Sequence, residues 1–180
     1  MLSEKKIRRI VITGPESTGK TELAQALAYK LNAVWVPEYA RYYIENLRRP
    51  YTYDDVIQIA RYQVVQEAEY ASKAEQGILI FDTWLIITKV WLDIVFGGSP
   101  SWISDHIMSS KIDLFLVCAT DLPWIADSVR ENGGDKRERL FELYCKEIRS
   151  FGFSFEIIRG LGERRTANAI KALSGHGLNQ

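Results

Sequence analysis

An α/β fold, a five-stranded parallel sheet in three layers, is predicted for this chain of 180 residues by three observations. Short apolar runs alternate with helical patterns along its whole length, each run has the length of a buried strand, and the first run passes through a glycine loop straight into a helix. Arg9 to Thr13 (RIVIT) is the first strand, and Thr21 to Leu31 is the first helix, with Leu23, Ala24, Leu27, Ala28 and Leu31 on one face. Ala33 to Val36 is the second strand, followed by a helical stretch from Tyr39 to Leu47 and a loop carrying Pro50. Thr52 with Asp55 three residues on has the spacing of a capping box, which opens a long helix to Gln76 that Gly77 can terminate. Ile78 to Phe81 is the third strand, Trp84 to Phe96 a helix stopped by Gly97, Gly98 and Pro100, and Trp102 to Ser110 a short helix. Leu114 to Ala119 (LFLVCA) is the fourth strand, Lys136 to Ser150 a helix, Phe153 to Ile158 the fifth strand and Arg164 to Leu173 the closing helix. Strands joined by helices in this way pair in parallel, because each crossover returns the chain to the same end of the sheet.

The glycine loop is the octet Gly14, Pro15, Glu16, Ser17, Thr18, Gly19, Lys20, Thr21, which fits GxxxxGK[ST] and stands between a strand and a helix as that motif requires. Its backbone N–H groups and the positive end of the following helix suit a phosphate, so the α/β sheet is expected to be a P-loop NTPase fold that binds ATP. Lys20 is expected to reach the β and γ oxygens, and the Thr21 hydroxyl to ligate Mg²⁺.

Ligands of such sheets lie beyond the carboxyl ends of the strands, which singles out the residues just after each strand. Asp82, after strand three, is expected to organise Mg²⁺; the other reading is a cap for the next helix. Glu38, after strand two and followed by Tyr39 and Arg41, is placed to take a proton from an acceptor hydroxyl or to hold a sugar diol; the other reading is an exposed acid at a helix start. After strand four comes a polar segment with Trp124, Asp127, Arg130, Lys136, Arg137 and Arg139, hinged by Gly133 and Gly134. It reads either as a lid over roughly 124–140 that brings cations to the transferring phosphate, or as a solvated charge run. After strand five, among Gly160, Gly162, Glu163, Arg164 and Arg165, an arginine is expected to stack on adenine, although a loop before a helix explains the segment nearly as well.

Composition narrows the field. With 23 basic and 23 acidic side chains the chain has no bulk charge to recommend a nucleic acid, and one domain over 1–180 accommodates its 47% hydrophobic residues. The N-terminus has no apolar stretch of signal-peptide length, and the most membrane-like stretch, Ile78 to Phe96, carries Asp82, Lys89 and Asp93. A cytoplasmic protein without a membrane partner is expected, with Cys118 and Cys145 as packed thiols rather than a zinc site. His106 and His176 have no partner pattern and read as polar surface residues, and the Ser174-Gly175-His176 tail reads as a frayed terminus. No NKxD base reader follows the loop, which sets aside guanine-specific switches.

Taken together the motifs resemble the ribosylnicotinamide kinase domain of bacterial NadR proteins, in the NadR/Ttd14-type group of P-loop ATPases. The resemblance spans nearly the whole chain: the GPESTGKT loop, Glu38 to Arg41, Phe81 to Thr83, then Lys89, Trp91, Phe96, Gly97, Pro100 and Trp102. It continues through Trp124, Asp127, Arg130, Arg137, Glu138 and Phe141 to Gly160 and Arg164 or Arg165. It implies a nucleoside-kinase-like sheet with a small lid, and ATP-dependent phosphorylation of the ribose 5′-hydroxyl of nicotinamide riboside to the mononucleotide of NAD synthesis. Implied roles are catalysis by Lys20, Glu38, Asp82 and Arg130, nucleotide binding by the octet with Arg137 and Arg165, Mg²⁺ binding by Thr21 and Asp82, and acceptor binding by Glu38, Tyr39, Arg41, Trp84 and Asp127. A homo-oligomer is compatible with it.

Nicotinamide riboside is a flat cation with a diol, and Trp35, Tyr39, Tyr42, Trp84 and Trp91 are the aromatic faces near Glu38 and Asp82 in sequence. Two positions depart from the family pattern: Trp84 stands where a second acid is common, and Pro37 where an aromatic often precedes the Glu-Tyr pair. Another nucleoside or vitamin alcohol as acceptor, or an ATP-binding regulatory module with little turnover, are the alternative readings. The HxGH motif of an adenylyltransferase does not occur.

Overall fold

Five β-branched and aromatic runs form one sheet in the order β2-β3-β1-β4-β5, with every pairing parallel. The computed structural model describes residues 7–74, 77–126 and 130–178. The strands are β1 (Arg8–Thr13), β2 (Val34–Val36), β3 (Ile78–Asp82), β4 (Leu114–Cys118) and β5 (Phe155–Ile158). The helices are α1 (Lys20–Lys30), α2 (Tyr39–Asn46), α3 (Tyr53–Ala71), α4 (Leu85–Phe96), α5 (Ser101–Ser109), α6 (Asp135–Ser150) and α7 (Gly162–Gly175).

The strands read as continuous apolar runs because both faces of the sheet are covered. Ile10, Ile12, Ile80, Leu114 and Leu116 point to one side, where Leu23, Ala24 and Leu27 of α1 and Ala169 and Leu173 of α7 meet them. Val11, Leu79, Phe81, Phe115 and Val117 point to the other, against Val56 and Ala60 of α3, Leu85 and Leu92 of α4, Ile103 of α5 and Ile148 of α6. This is the three-layer α/β architecture that the alternation of runs predicts. The stretch from Ile78 to Phe96 is β3 followed by α4, and among the described residues no helix is long and apolar enough to cross a membrane. Cys118 and Cys145 are buried free thiols; burial pushes the Cys118 thiol up to about 11 and raises Cys145 as well.

Four expectations need correction, the first being the tail read as frayed: α7 runs to Gly175 and Leu178 is buried, its N–H on the Leu173 carbonyl at 2.9 Å. Helix α3 stops at Ala71, because Lys73 and Ala74 turn their N–H groups to Tyr70 and Ala71 in tight three-residue steps; the predicted end, Gln76, lies outside the described residues. Strand β5 begins at Phe155 rather than Phe153, whose N–H still belongs to the end of α6 through the Ile148 carbonyl. His106 is half-buried, its Nε2 3.3 Å from Oε2 of Glu67, a carboxylate that also takes the Trp84 indole N–H at 3.3 Å. The capping box stands, with Asp55 accepting from the Thr52 N–H at 2.7 Å and hydroxyl at 2.8 Å, and Arg49 beside it at 2.6 Å holds that carboxyl well below its usual range.

Chain direction sets the position of the site. From β1 the chain crosses to β2, and β3 then fills the gap between them, whereas β4 and β5 are added on the other side. The strand order therefore reverses beside β1, where sheets of this kind leave a crevice at the carboxyl ends. Gly14 stands at that point with φ 139°, and a Cβ there would lie 2.7 Å from the Cys118 carbonyl oxygen at the end of β4. Gly14→Ala is expected to destabilise the protein by about 2 kcal/mol or more, through left-handed strain together with the clash. Urea unfolding measures it, and an unchanged midpoint would contradict this packing.

Candidate active site

The loop after β1 wraps over the start of α1. Gly19 takes φ 70° to lead into the helix, and Ser17 is one of three non-glycine residues with positive φ among those described. The Thr18 hydroxyl donates to the Pro15 carbonyl at 2.8 Å, and Lys20 Nζ donates to the same oxygen at 2.8 Å. The ammonium is thus parked on the loop's own backbone, within the turn that the motif uses for phosphate.

Under the loop lies Asp82, the last residue of β3 and paired in register with Ile12. It is 1% exposed, and neither carboxylate oxygen has a hydrogen-bond partner. Burial raises its pKa; the neighbouring Thr21 hydroxyl, then Lys20 and Arg41, pull it back down, although no hydrogen bond of good geometry joins Thr21 to it. Burial likewise raises Glu38, the residue before α2, and the Asp82 charge adds to that while Lys20 and Arg41 oppose it. Two carboxylates sharing the charges of Lys20 and Arg41, one of them fully buried, form an arrangement that a further cation or a proton would relieve. The donor set, a hydroxyl and an unpartnered buried carboxylate, fits a hard divalent cation such as Mg²⁺. Next to Asp82, Thr83 has φ 64°, a strained value for a β-branched residue, with its N–H bonded to the Ile12 carbonyl at 2.9 Å.

Beside these carboxylates opens a cavity of about 690 Å³. Gly14, Glu16 to Thr21, Glu38, Arg41 and Arg130 line it, so most of the predicted site residues share one space. Pro15 contributes its carbonyl to the loop's internal bonds. Arg130, on the segment before α6, donates to the Ile125 carbonyl at 2.7 Å. Asp127 lies outside the described residues.

Four predicted site residues are placed differently from expectation. Trp84 is 1% exposed and packs in the core against Phe115 and His106, because the chain after Asp82 turns its ring into the α3–α5 layer and away from the cavity. Tyr39 stacks on Tyr62 of α3 with ring centroids 3.9 Å apart, in a cluster with Tyr42 and Tyr43, instead of facing the cavity. Arg165 is 3% exposed with its guanidinium donating to the carbonyls of Gly160 and Thr18, both at 2.7 Å, and to Asp121. A side chain bound so completely behind the loop braces it and has no face left for an adenine. Arg137 is also buried and donates to the Leu122 carbonyl at 2.5 Å and Ser17 carbonyl at 3.4 Å, tying α6 to the loop.

The far wall of the cavity is only partly legible in the sequence. Tyr51 and Trp91 meet edge to face at 4.8 Å, and the Tyr51 hydroxyl donates to Glu131 at 3.3 Å. Beside them Thr88 donates to Gln63 Oε1 at 2.7 Å, a buried polar pair that also lines the cavity. Trp91 is among the aromatics singled out from sequence, whereas Tyr51, Gln63 and Thr88 are not. Gln63 carries a signal: it keeps the spacing of Val56, Ile59 and Ala60 on the buried face of α3, where a carboxamide needs a reason. Tyr51 carries none, since it lies in a loop and its partner is on α4.

A family model described as an AAA domain matches residues 9–165. The trifunctional NAD biosynthesis/regulator protein NadR of Salmonella typhimurium (strain LT2) is 25% identical over 148 residues, which are 79% of this chain and 35% of that protein. A crystal structure of NadR protein in complex with NR superimposes with TM-score 0.77 at 25% identity, over 94% of this chain and 49% of that one. Thymidylate kinase from Ehrlichia chaffeensis superimposes with TM-score 0.70 at 14% identity, over 93% of this chain and 99% of that one, which is a likeness of fold alone. The fold is that of P-loop kinases, and the chain spans half or less of the NadR proteins it is similar to.

Proposed function

The chain belongs to the AAA-domain family, and from that membership we propose that it is an ATP-dependent kinase of a small hydroxyl-bearing substrate, nicotinamide riboside, yielding the mononucleotide. The observation that carries the reading is the juxtaposition of a P-loop lysine with two carboxylates, the half-buried Glu38 lining the cavity and the fully buried Asp82 beside it, next to a cavity with an aromatic far wall. Similarity to NadR, including a NadR structure with NR bound, supports the choice of acceptor.

In this reading Lys20 leaves the Pro15 carbonyl for the β and γ oxygens, and the loop N–H groups hold the rest of the polyphosphate. Thr21 and Asp82 would hold Mg²⁺, which when bound supplies neutralising charge to the phosphate oxygens. Glu38 accepts the proton of the acceptor hydroxyl; burial raises its pKa, which makes its carboxylate a better base than an exposed glutamate. Arg41 shares that wall and orients the acceptor. Arg130 stabilises the charge of the phosphoryl group in transit. Trp91 and Tyr51 offer ring faces and edges to a flat cationic base, a role that sequence alone assigns to Tyr39 and Trp84 as well. The reading puts the protein in the cytoplasm, with ATP and the acceptor.

A coupled assay of ADP release tests it. ADP formation is expected to depend on nicotinamide riboside and to match mononucleotide formation one for one. Failure of that substrate and of a panel of nucleosides and vitamin alcohols to stimulate ADP release would overturn the kinase reading in favour of a nucleotide-binding regulatory module.

A further inference from the structure

Resting on the kinase reading, we propose that Glu16 is a positioning residue that holds Arg130 over the transferring phosphate. A carboxylate within a phosphate loop opposes the charge of the ligand that the loop exists to bind, so its presence asks for another task. The structure supplies one. Glu16 Oε1 accepts the Glu131 N–H at 3.2 Å and Asn132 Nδ2 at 2.9 Å, and Oε2 accepts the Asn132 N–H at 3.0 Å and the Trp124 indole N–H at 3.5 Å. All four donors come from the segment that carries Arg130, and three of them belong to the two residues immediately after it.

The next loop residue anchors the other side. Ser17 Oγ accepts the Ile125 N–H at 3.1 Å and donates to the Ile125 carbonyl at 3.2 Å, and that same carbonyl accepts Arg130 Nη1 at 2.7 Å. Arg130 thus hangs between two ties, its backbone fixed through Glu16 and its guanidinium through Ser17. Gly133 completes the seat: a Cβ there would come within 3.2 Å of the Trp124 ring, so the ring lies flat on the chain at that point. Only a side chain with two acceptor oxygens serves four donors at once, which explains an acid where a neutral residue would suit the phosphates better. The loop that binds the nucleotide and the arm that brings the cation therefore move as one body.

A double-mutant cycle tests this. Glu16→Ala is expected to lower kcat about 10²-fold through misplacement of Arg130, while KM for ATP changes less than about threefold because the phosphate N–H groups are untouched. In an Arg130→Ala background the further loss is expected to be under about twofold. Losses that multiply would overturn the proposal. Glu16→Gln, which keeps one acceptor oxygen, falls between the wild type and Glu16→Ala and guards against a folding defect in the latter. Amide exchange is the second arm: protection of the Glu131 and Asn132 N–H groups is expected to drop about tenfold in Glu16→Ala and to persist in Arg130→Ala. Unchanged exchange in Glu16→Ala would overturn the tie. Absence of turnover with any acceptor would count against the kinase reading alone, since the exchange arm still decides the role of Glu16.

Discussion

Lys20→Ala is expected to abolish turnover, lowering kcat/KM by about 10³-fold or more, while the folded state survives. The ammonium is the single cation inside the loop, placed by Gly19 and the first turn of α1, and its charge acts on both Glu38 and Asp82 more strongly than that of Arg41. It donates to the Pro15 carbonyl, which the Thr18 hydroxyl also serves, so truncation leaves that acceptor with a donor. The melting temperature is therefore expected to stay within about 3 °C of the wild type. The loss of Lys20 also leaves Arg41 as the cation that restrains both carboxylates, and their pKa values should move further up. Coupled ADP release and a thermal melt measure the two halves; retained activity would overturn the site assignment, and collapse of the fold would overturn the account of the loop.

Asp82→Asn is expected to divide stability from activity in opposite directions. Its carboxylate is buried with neither oxygen bonded, so the ionised form is disfavoured in the native protein and its pKa is raised. Between the unfolded value and that raised value the native state holds more protons than the unfolded chain, so stability falls as pH rises through the window, and above it the whole penalty is present. Removing the charge should stabilise the ligand-free protein at pH 8 by about 1–3 kcal/mol, a rise of about 2–4 °C per kcal/mol at this size. The gain should shrink as pH falls toward the window. Turnover should drop about 10²-fold or more, and Mg²⁺ with ATP should stabilise the wild type more than the variant. Calorimetry from pH 5 to 8 decides it: a variant less stable than the wild type at pH 8 would contradict the unpaired carboxylate.

Sequence carries the fold and the phosphate half of the site because both depend on local order. RIVIT, the glycine octet and the α1 face are consecutive, so one stretch of chain yields strand, loop and helix, and Asp82 follows from the rule that carboxyl ends of strands meet the ligand. The acceptor half is assembled from residues that no spacing connects. Tyr51 meets Trp91 from the loop before α3 across to α4, and Gln63 meets Thr88 from α3 to α4. Side-chain direction defeats local reading in the same way: Trp84 and Tyr39 follow the correct strands but turn into packing, and Arg165 has the right loop but serves its backbone. Glu16 is a case of a residue legible as loop and illegible as tie, since its partners are more than a hundred residues away along the chain.

The contact between Gly14 and the Cys118 carbonyl has a consequence for synthesis. Strand β1 emerges first, yet Arg8 pairs with Ile78 and Ile10 with Leu114, so the central strand waits for both neighbours. Until β4 is in place the loop lacks the backbone against which Gly14 is pressed, and the apolar face of α1 still waits for α7. A chain growing from the ribosome thus carries a complete phosphate motif long before it has a phosphate site. Such non-local order slows folding, and it makes nucleotide capture a late event, available only to chains that have already built the middle of the sheet.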